Sequence, residues 1–430
     1  MEADALEGYF PSPGLITISL PAGTYLLTIA GLDIGCPSID CVGSIEIHGA
    51  GMNTTLVDGN QRFRVFNVAP GGVLTLQDLT VQNGFVEDVC GQTCLDAGEY
   101  GGGLRNASGG SLSLIRVKVT GNRTLLNNQR GGAYGGGIHN EGSLYLEDCQ
   151  ITSNSATGSQ WGAWGGGLSN FYGAKATIVR TIFQANKTAV PKSGEGGAIA
   201  NWTGARLYVT ASRFLDNEAG EPGQLNSDGG ALFNYGTALL KRCTLARNRN
   251  YGGGAGGGIF NRGVLSVVNS TVSGNTSTCD GGGVATDPAF EIRNSTFSGN
   301  HSSCSGGGIK GPVEVWNSIL AGNTDASGAN ECQSMTSHGY NLVQGACAFT
   351  KQPGDITGVD PMLGPLQDNG GPAETQRLLP GSPAIDSANP VAPGSTPDAC
   401  EKIDERGVTR PQGTYCDIGA FEKLQRPPAN

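Results

Sequence analysis

The sequence predicts an all-β protein, a right-handed parallel β-helix of roughly eleven or twelve coils with a loop-rich C-terminal cap. Three observations lead to this fold class: a glycine-rich composition, a repeated glycine–asparagine phrase, and apolar columns that recur with the repeat. Glycine fills 71 of 430 positions. Because each glycine costs a helix about 1 kcal/mol relative to alanine, glycine spread along the whole chain argues against a helical fold. The glycines do not recur at every third residue, which excludes collagen.

Each repeat begins with a glycine cluster and ends with a closing asparagine. The clusters are GGGLRN (101–106), GGGIHN (135–140), GGGLSN (165–170), GGAIAN (196–201), GGALFN (229–234), GGGIFN (256–261), GGGVAT (281–286) and GGGIKG (306–311). The closing asparagines are Asn122, Asn154, Asn186, Asn217, Asn248, Asn275, Asn300 and Asn323. A repeat of this length is too short to contain a helix, so its strands can bury a face only by stacking on the next repeat. We expect the glycines at corners with positive φ and the asparagines in an inward hydrogen-bonded ladder.

Two apolar columns identify the side chains that point inward. Three residues before the closing asparagines lie Val119, Ile151, Phe183, Phe214, Leu245, Val272, Phe297 and Leu320, and eight residues before lie Leu114, Leu146, Ile178, Val209, Leu240, Val267, Ile292 and Val315. The column seven residues before is mixed and is expected to face out, with members such as Glu147, Lys241, Arg293 and Trp316. Earlier coils are expected in 16–28, 44–59 and 73–84. We therefore assign 1–337 to the β-helix and 338–430 to the last coil and the cap.

The cysteines indicate an oxidising compartment and a set of disulfides. Cys279 and Cys304 each follow a closing asparagine by four residues in successive coils, so stacking would place their Cα atoms about 4.8 Å apart, a distance that permits a bridge. The other expected pairs are those of least loop length: Cys36–Cys41, Cys90–Cys94, Cys332–Cys347 and Cys400–Cys416. Cys149 and Cys243 fall in a small inward column and are expected to be buried free thiols.

Charge and motifs exclude several function classes. The net charge is −10 and no basic run occurs, so nucleic acid is not an expected partner. No apolar stretch approaches the ~20 residues of a transmembrane helix. The N-terminus lacks the features of a signal peptide, and we expect an exported protein whose leader is not part of this chain. No cofactor is expected. Calcium is the one candidate ion, at Asp355, Asp360 and Asp368, although loop capping by these acids is the favoured interpretation.

The phrases GGGIFN (256–261) and NSTVSGN (269–275) resemble bacterial right-handed parallel β-helix proteins of the polymorphic-outer-membrane-protein-like kind. Residues 16–28 are similar to the start of proteins that carry a CSLREA motif, although that motif is absent. Residues 360–386 and 405–422 resemble the choice-of-anchor Q domain, which in that family precedes a variable cell-surface anchor. The resemblance implies an extracellular or cell-surface protein, and we expect its anchor to lie outside this chain.

Variable segments between the closing asparagines and the next glycine clusters are the expected binding edge. They contain Tyr134, Trp161, Trp164 and Tyr251, which are candidate polysaccharide-stacking residues. The alternative interpretation is that these aromatic residues only cover the corner of a solenoid. We expect an adhesive or structural module that binds polysaccharide or a cell-surface protein, with no prediction of oligomeric state. The rival function is a polysaccharide lyase or glycoside hydrolase of the pectin-lyase-like superfamily, but no coil-spaced pair of acids supplies catalytic residues.

Overall fold

The computed structural model describes residues 14–35, 44–87, 99–126, 131–158, 162–189, 193–223 and 226–424. These residues form strands and no helix, and successive coils pair in parallel. The predicted fold class, an all-β right-handed parallel β-helix, is confirmed. The chain divides into two compact units, Met1–Leu207 and Tyr208–Asn430.

In the first unit, each strand pairs with its equivalent one coil later. In chain order, the strands outside the variable segments are Leu15–Leu20, Gly23–Leu26, Leu32–Ile34, Ser44–Gly49, Thr55–Asp58, Phe66–Val68, Val73–Gln82, Leu104–Asn106, Ser111–Thr120, Ile138–Asn140, Ser143–Glu147, Gln150–Thr152, Leu168–Asn170, Lys175–Val179, Ile182–Gln184 and Ile199–Asn201. The variable segments of the expected binding edge also contain strands: Phe85–Glu87, Arg123–Leu126, Ser155–Gly158 and Lys187–Ala189 form one face. Glu99–Tyr100, Ala133–Tyr134, Ala163–Trp164 and Gly194–Glu195 form a separate four-stranded corner sheet.

The second unit repeats the pattern with shorter corners. Strand Arg206–Thr210 contains the boundary between the units, and the later strands are Arg213–Leu215, Glu218–Ala219, Leu232–Asn234, Thr237–Lys241, Thr244–Ala246, Arg249–Asn250, Ile259–Asn261, Val264–Val268, Thr271–Ser273, Thr276–Ser277, Val284–Thr286, Phe290–Arg293, Thr296–Ser298, His301–Ser302, Ile309–Trp316, Ile319–Ala321, Thr324–Asp325, Gly328–Ser337, Leu342–Val343, Ala346–Ala348 and Ile356–Thr357. Leu363–Gln367 and Thr375–Leu378 form an antiparallel pair.

The two predicted apolar columns form the core. Every member of both columns is buried, and none exceeds 1% exposure. Stacking places equivalent side chains directly above one another, as in the register Leu114↔Leu146 and Leu146↔Ile178. Each inward side chain therefore packs against its own equivalent in the next coil.

The closing asparagines form the predicted inward ladder. In the first unit the Asn122 amide nitrogen donates to Asn154 Oδ1 at 3.0 Å, and Asn154 donates to Asn186 at 3.0 Å. In the second unit the ladder runs from Asn217 to Asn323 through bonds of 2.8–2.9 Å. It ends at the Glu331 carboxylate, which accepts from Asn323 Nδ2 at 2.6 Å in place of a further asparagine.

Gly281 and Gly282, successive residues of one cluster, must be glycine for different geometric reasons. Gly281 has φ +64°, the positive value predicted for a corner. A Cβ on Gly282 would lie only 2.4 Å from the Gly307 carbonyl oxygen of the next coil, so here close backbone approach excludes a side chain. Positive φ therefore explains the first glycine of the cluster, whereas packing between coils explains the second.

The C-terminal region of the second unit lies along the side of several coils. Corner asparagines of the NST phrases hold it: Asn269 Nδ2 donates to the Ile403 carbonyl at 2.7 Å, and Asn317 Nδ2 donates to the Asp398 carbonyl at 3.0 Å. The buried Glu405 carboxylate accepts from the Thr271 hydroxyl at 2.5 Å. This packing corrects one prediction, because Trp316 belongs to the column expected to face solvent but is only 5% exposed. Its indole N–H donates to Asp398 of the covering segment at 2.9 Å.

Candidate functional site

Two of the predicted binding residues, Tyr134 and Trp164, lie one above the other in the corner sheet of the first unit. The parallel register aligns Tyr100, Tyr134, Trp164 and Glu195. The Tyr100 and Tyr134 rings stack with centroids 5.3 Å apart, and the Tyr134 and Trp164 rings stack at 4.9 Å. The Trp164 indole N–H donates to a Glu195 oxygen at 2.6 Å. Ring stacking at this spacing follows directly from the distance between parallel strands.

A second row of aromatic side chains packs against this stack. Phe171 meets the Tyr134 ring edge-on at 5.2 Å, and Trp202 lies 5.4 Å from Trp164. Tyr172 lies 5.2 Å from Trp202 and is 56% exposed. We call these six side chains the aromatic corner: Tyr100, Tyr134, Trp164, Phe171, Tyr172 and Trp202.

The sequence prediction missed four members of the aromatic corner, although a signal was present. Phe171 and Trp202 each follow the asparagine that ends a glycine cluster, Asn170 and Asn201. Alignment on that asparagine would have placed both aromatic residues in one column. The glycine turn brings this column beside the corner sheet, because residues before and after a cluster meet across the bend. The Gly135 φ of +62° sets one such bend.

A charged cluster borders the aromatic corner. Glu141 Oε1 lies 3.1 Å from both Arg105 Nη2 and His139 Nε2. The hydrogen bond from His139, with Arg105 beside it, lowers the pKa of Glu141 to about 2. Burial lowers the pKa of the fully buried His139, which favours a neutral ring that donates Nε2–H to Glu141. Arg105 therefore supplies the positive charge that balances the carboxylate.

Four neighbouring positions in one column contain buried polar atoms that lack a partner. The register aligns Asn67 with Arg105, Arg105 with His139, and His139 with Ser169. Asn67 Oδ1, Arg105 Nε, His139 Nδ1 and Ser169 Oγ are buried and have no hydrogen-bond partner among the described residues. Native proteins leave few such atoms unsatisfied, so a run of four in one column suggests groups that water or a ligand satisfies.

An open cavity of about 600 Å³ continues this column toward the first coils. Its lining includes Asp33, Arg62, Arg64, Asn67 and Phe85. The Arg64 guanidinium donates to the Tyr100 carbonyl at 2.7 Å, which joins the cavity wall to the aromatic corner. The cavity, the polar column and the aromatic corner thus form one continuous surface of the first unit.

The Glu141 carboxylate does not suit the general acid of a glycosidase. A glycosidase needs one carboxyl group that is protonated at working pH. The Glu141 pKa of about 2 keeps that carboxylate ionised, and Glu195 accepts hydrogen bonds from Trp164 and from Ser193, the latter at 2.7 Å. The stacked faces of Tyr134 and Trp164 cover each other, so the exposed Tyr172 ring offers the aromatic face open to a ligand.

Trp161 and Tyr251 are the other two predicted binding residues. Trp161 lies outside the described residues. Tyr251 belongs to the second unit, where Arg249 Nη1 donates to its hydroxyl oxygen at 3.0 Å. The Arg249 guanidinium also lies over the Tyr251 ring at 5.5 Å, which gives this tyrosine a local partner on its own coil.

Three of the predicted disulfides are present: Cys279–Cys304, Cys332–Cys347 and Cys400–Cys416. The Cys279 and Cys304 Cα atoms are 4.6 Å apart, close to the spacing expected from stacked coils. The pairs Cys36–Cys41 and Cys90–Cys94 fall outside the described residues.

Cys149 and Cys243 are free and buried, and burial raises the pKa of each thiol to about 12. Neither is therefore suited to act as a nucleophile at neutral pH.

The acids considered for calcium accept hydrogen bonds from the protein itself. Asp355 accepts from the Ser337 hydroxyl at 2.6 Å, and Asp360 and Asp368 accept from nearby backbone N–H groups. Within the described part of the chain, the one group of three candidate metal ligands is Cys279, Asp280 and Cys304, of which the cysteines are disulfide-bonded. No helix of that part is long and apolar enough to cross a membrane.

Comparison with known proteins gives one family match and one structural match. Residues 294–312 match a family described as the Chlamydia polymorphic membrane protein repeat. The crystal structure of pectate lyase Pel9A aligns with a TM-score of 0.43 and 13% identity, covering 95% of this chain and 88% of that one. No curated protein matches the sequence. The chain, whose own strand pairing makes it a parallel β-helix, contains a segment at residues 294–312 that is similar to the Chlamydia polymorphic membrane protein repeat.

Proposed function

We propose that this chain is an exported, surface-associated β-helix protein that binds an extended polysaccharide along the aromatic corner of its first unit. The observation that carries the proposal is the exposed Tyr172 ring beside Trp202, next to a column of buried polar atoms without partners. The apolar face of a sugar ring packs on an aromatic face, and its hydroxyl groups supply the missing hydrogen bonds.

The solenoid architecture supports an extended ligand. Equivalent positions recur once per coil at about 4.8 Å, so a chain of sugars can follow the stack of coils. The exported location rests on the disulfides, which persist in oxidising compartments, and on the short repeat match at 294–312.

The test is to incubate the purified chain with acidic and neutral polysaccharides and measure retained glycan and shortened products by mass spectrometry. We expect retention without shortening. Tyr172→Ala and Trp202→Ala are expected to weaken retention about tenfold each, the equivalent of ~1.4 kcal/mol. The matched control is Tyr235→Ala, since Tyr235 follows Asn234 as Trp202 follows Asn201 but belongs to the second unit.

The possible outcomes separate the candidate functions. Detection of shortened products would refute a function limited to binding and would indicate a lyase or hydrolase activity. Absence of retention across the panel would refute polysaccharide binding. Because Trp202 packs against its neighbours, a thermal melt accompanies each variant; Tyr172→Ala, at an exposed site, is expected to melt as the unmodified chain does.

A further inference from the structure

The glycine corners of the second unit form a regular series of backbone hydrogen bonds from each coil to the next. Gly256 N–H donates to the Asp280 carbonyl at 2.9 Å, and Gly281 N–H donates to the Ser305 carbonyl at 2.9 Å. Each corner therefore supplies the acceptor for the first glycine of the corner before it.

At Gly306 this series ends. The chain after Asn323 does not build another corner, because Thr324–Asp325 pairs antiparallel with the start of Gly328–Ser337. Among the described residues, the Gly306 N–H has no hydrogen-bond acceptor. An open cavity of about 480 Å³, lined in part by Gly306, lies at this interruption.

The side chains around this cavity present donors and one unmatched acceptor. Lys310 Nζ donates to Ser305 Oγ at 2.9 Å, and an ammonium group has two further N–H bonds to offer. The Ser305 hydroxyl donates in turn to Asp280 at 2.7 Å, which fixes its orientation. Asn330 Oδ1 is buried and has no partner, although its amide nitrogen donates to Asp325 at 2.7 Å.

Charge favours an anionic ligand. Lys310 is the one charged side chain among the described residues that line the cavity; the other lining residues are Ser305, Gly306, Asn330, Cys332, Gln333, Ala346, Cys347 and Ala348. The nearby Asp280 carboxylate already accepts from both the N–H and the hydroxyl of Ser305. An ammonium group and a backbone N–H are both donors from which a carboxylate accepts.

We propose that this cavity binds a small carboxylate with a neighbouring hydroxyl group, the chemistry of a uronic acid. The carboxylate accepts from Lys310 and from the Gly306 N–H, and the hydroxyl group donates to Asn330 Oδ1. This site belongs to the second unit, and it is independent of the polysaccharide binding proposed for the first. An open cavity with three polar contacts is expected to bind a single sugar acid with a Kd of about 1 mM.

The test is a calorimetric titration of the full chain with galacturonate at constant ionic strength. Galactose lacks the carboxylate and acetate lacks the hydroxyl group, so both are expected to bind at least tenfold more weakly. Lys310→Met is expected to weaken galacturonate binding at least tenfold. The matched control is Lys351→Met, which removes an exposed lysine that does not line the cavity.

Galacturonate affinity equal to that of acetate or galactose, or unchanged affinity in Lys310→Met, would overturn the proposal. Ser305→Ala, a smaller change, is expected to weaken binding several-fold, and peptide mapping of Cys279–Cys304 verifies that the neighbouring coils are intact. Tyr172→Ala must leave galacturonate binding unchanged, so failure of this site is distinguishable from failure of polysaccharide binding.

Discussion

Replacement of Asn275 by alanine tests how much of the fold's stability comes from the inward asparagine ladder. Its amide oxygen accepts from the Asn248 backbone N–H at 3.0 Å and from Asn248 Nδ2 at 2.9 Å. Its amide nitrogen donates to the Leu245 carbonyl and to Asn300 Oδ1, both at 2.9 Å. The residue is fully buried, so water cannot replace these four bonds without opening the coil.

The four hydrogen bonds of Asn275 give the expected decrease in the free energy of unfolding. Four buried hydrogen bonds at about 1 kcal/mol each, plus about 1 kcal/mol for leaving the Asn248 N–H unpaired, give about 5 kcal/mol. This exceeds the usual effect of a single substitution.

Urea unfolding followed by circular dichroism measures the change in midpoint, with Ser303→Ala as the control at an exposed side chain. A solenoid can unfold in parts, so hydrogen exchange at the Asn248 amide provides a local measure. We expect a lower midpoint and faster exchange at that amide. If Asn275→Ala and Ser303→Ala have the same midpoint and the Asn248 amide exchanges at its original rate, the ladder does not stabilise the coils as argued.

Three further predictions concern single side chains. The pKa of Glu141 falls from 4.5 to about 2 on folding, so the ionised carboxylate adds at most ~3 kcal/mol to the free energy of unfolding. This stabilisation is complete above pH 4.5 and is lost as the pH falls to 2. Thermal melts of Glu141→Gln should lack that part of the pH dependence. Cys149 and Cys243, with pKa values of about 12, should resist iodoacetamide at pH 8 until urea unfolds the chain; labelling of the folded protein would contradict their burial. Gly282→Ala should destabilise the protein far more than Gly299→Ala. The new Cβ would lie 2.4 Å from a backbone atom at position 282 but would meet nothing within 4 Å at position 299, where only the positive φ costs ~1 kcal/mol. Equal melting temperatures of the two variants would refute the close-approach argument.

The repeat in the sequence was enough to predict which side chains lie inside the coils. Once the closing asparagines are aligned, equivalent residues must lie one strand spacing apart, because each coil can bury its face only on its neighbour. That single condition correctly predicted the apolar columns, the asparagine ladder and the Cys279–Cys304 bridge. It also assigned Tyr134 and Trp164, together with Trp161 and Tyr251, to the variable segments along one edge.

Only the tertiary structure showed the contacts that do not recur once per coil. Trp202 meets Trp164 only because the glycine turn folds one face against the corner sheet, and the alignment of closing asparagines contains no information about that bend. The burial of Trp316 depends on a segment about eighty residues later in the chain, which packs sideways through contacts such as that of Asp398. The interruption at Gly306 likewise depends on the chain after Asn323 turning back on itself. Periodicity specifies neighbours along the stack of coils, whereas lateral contacts and the ends of the ladders depend on non-repeating segments that no period describes.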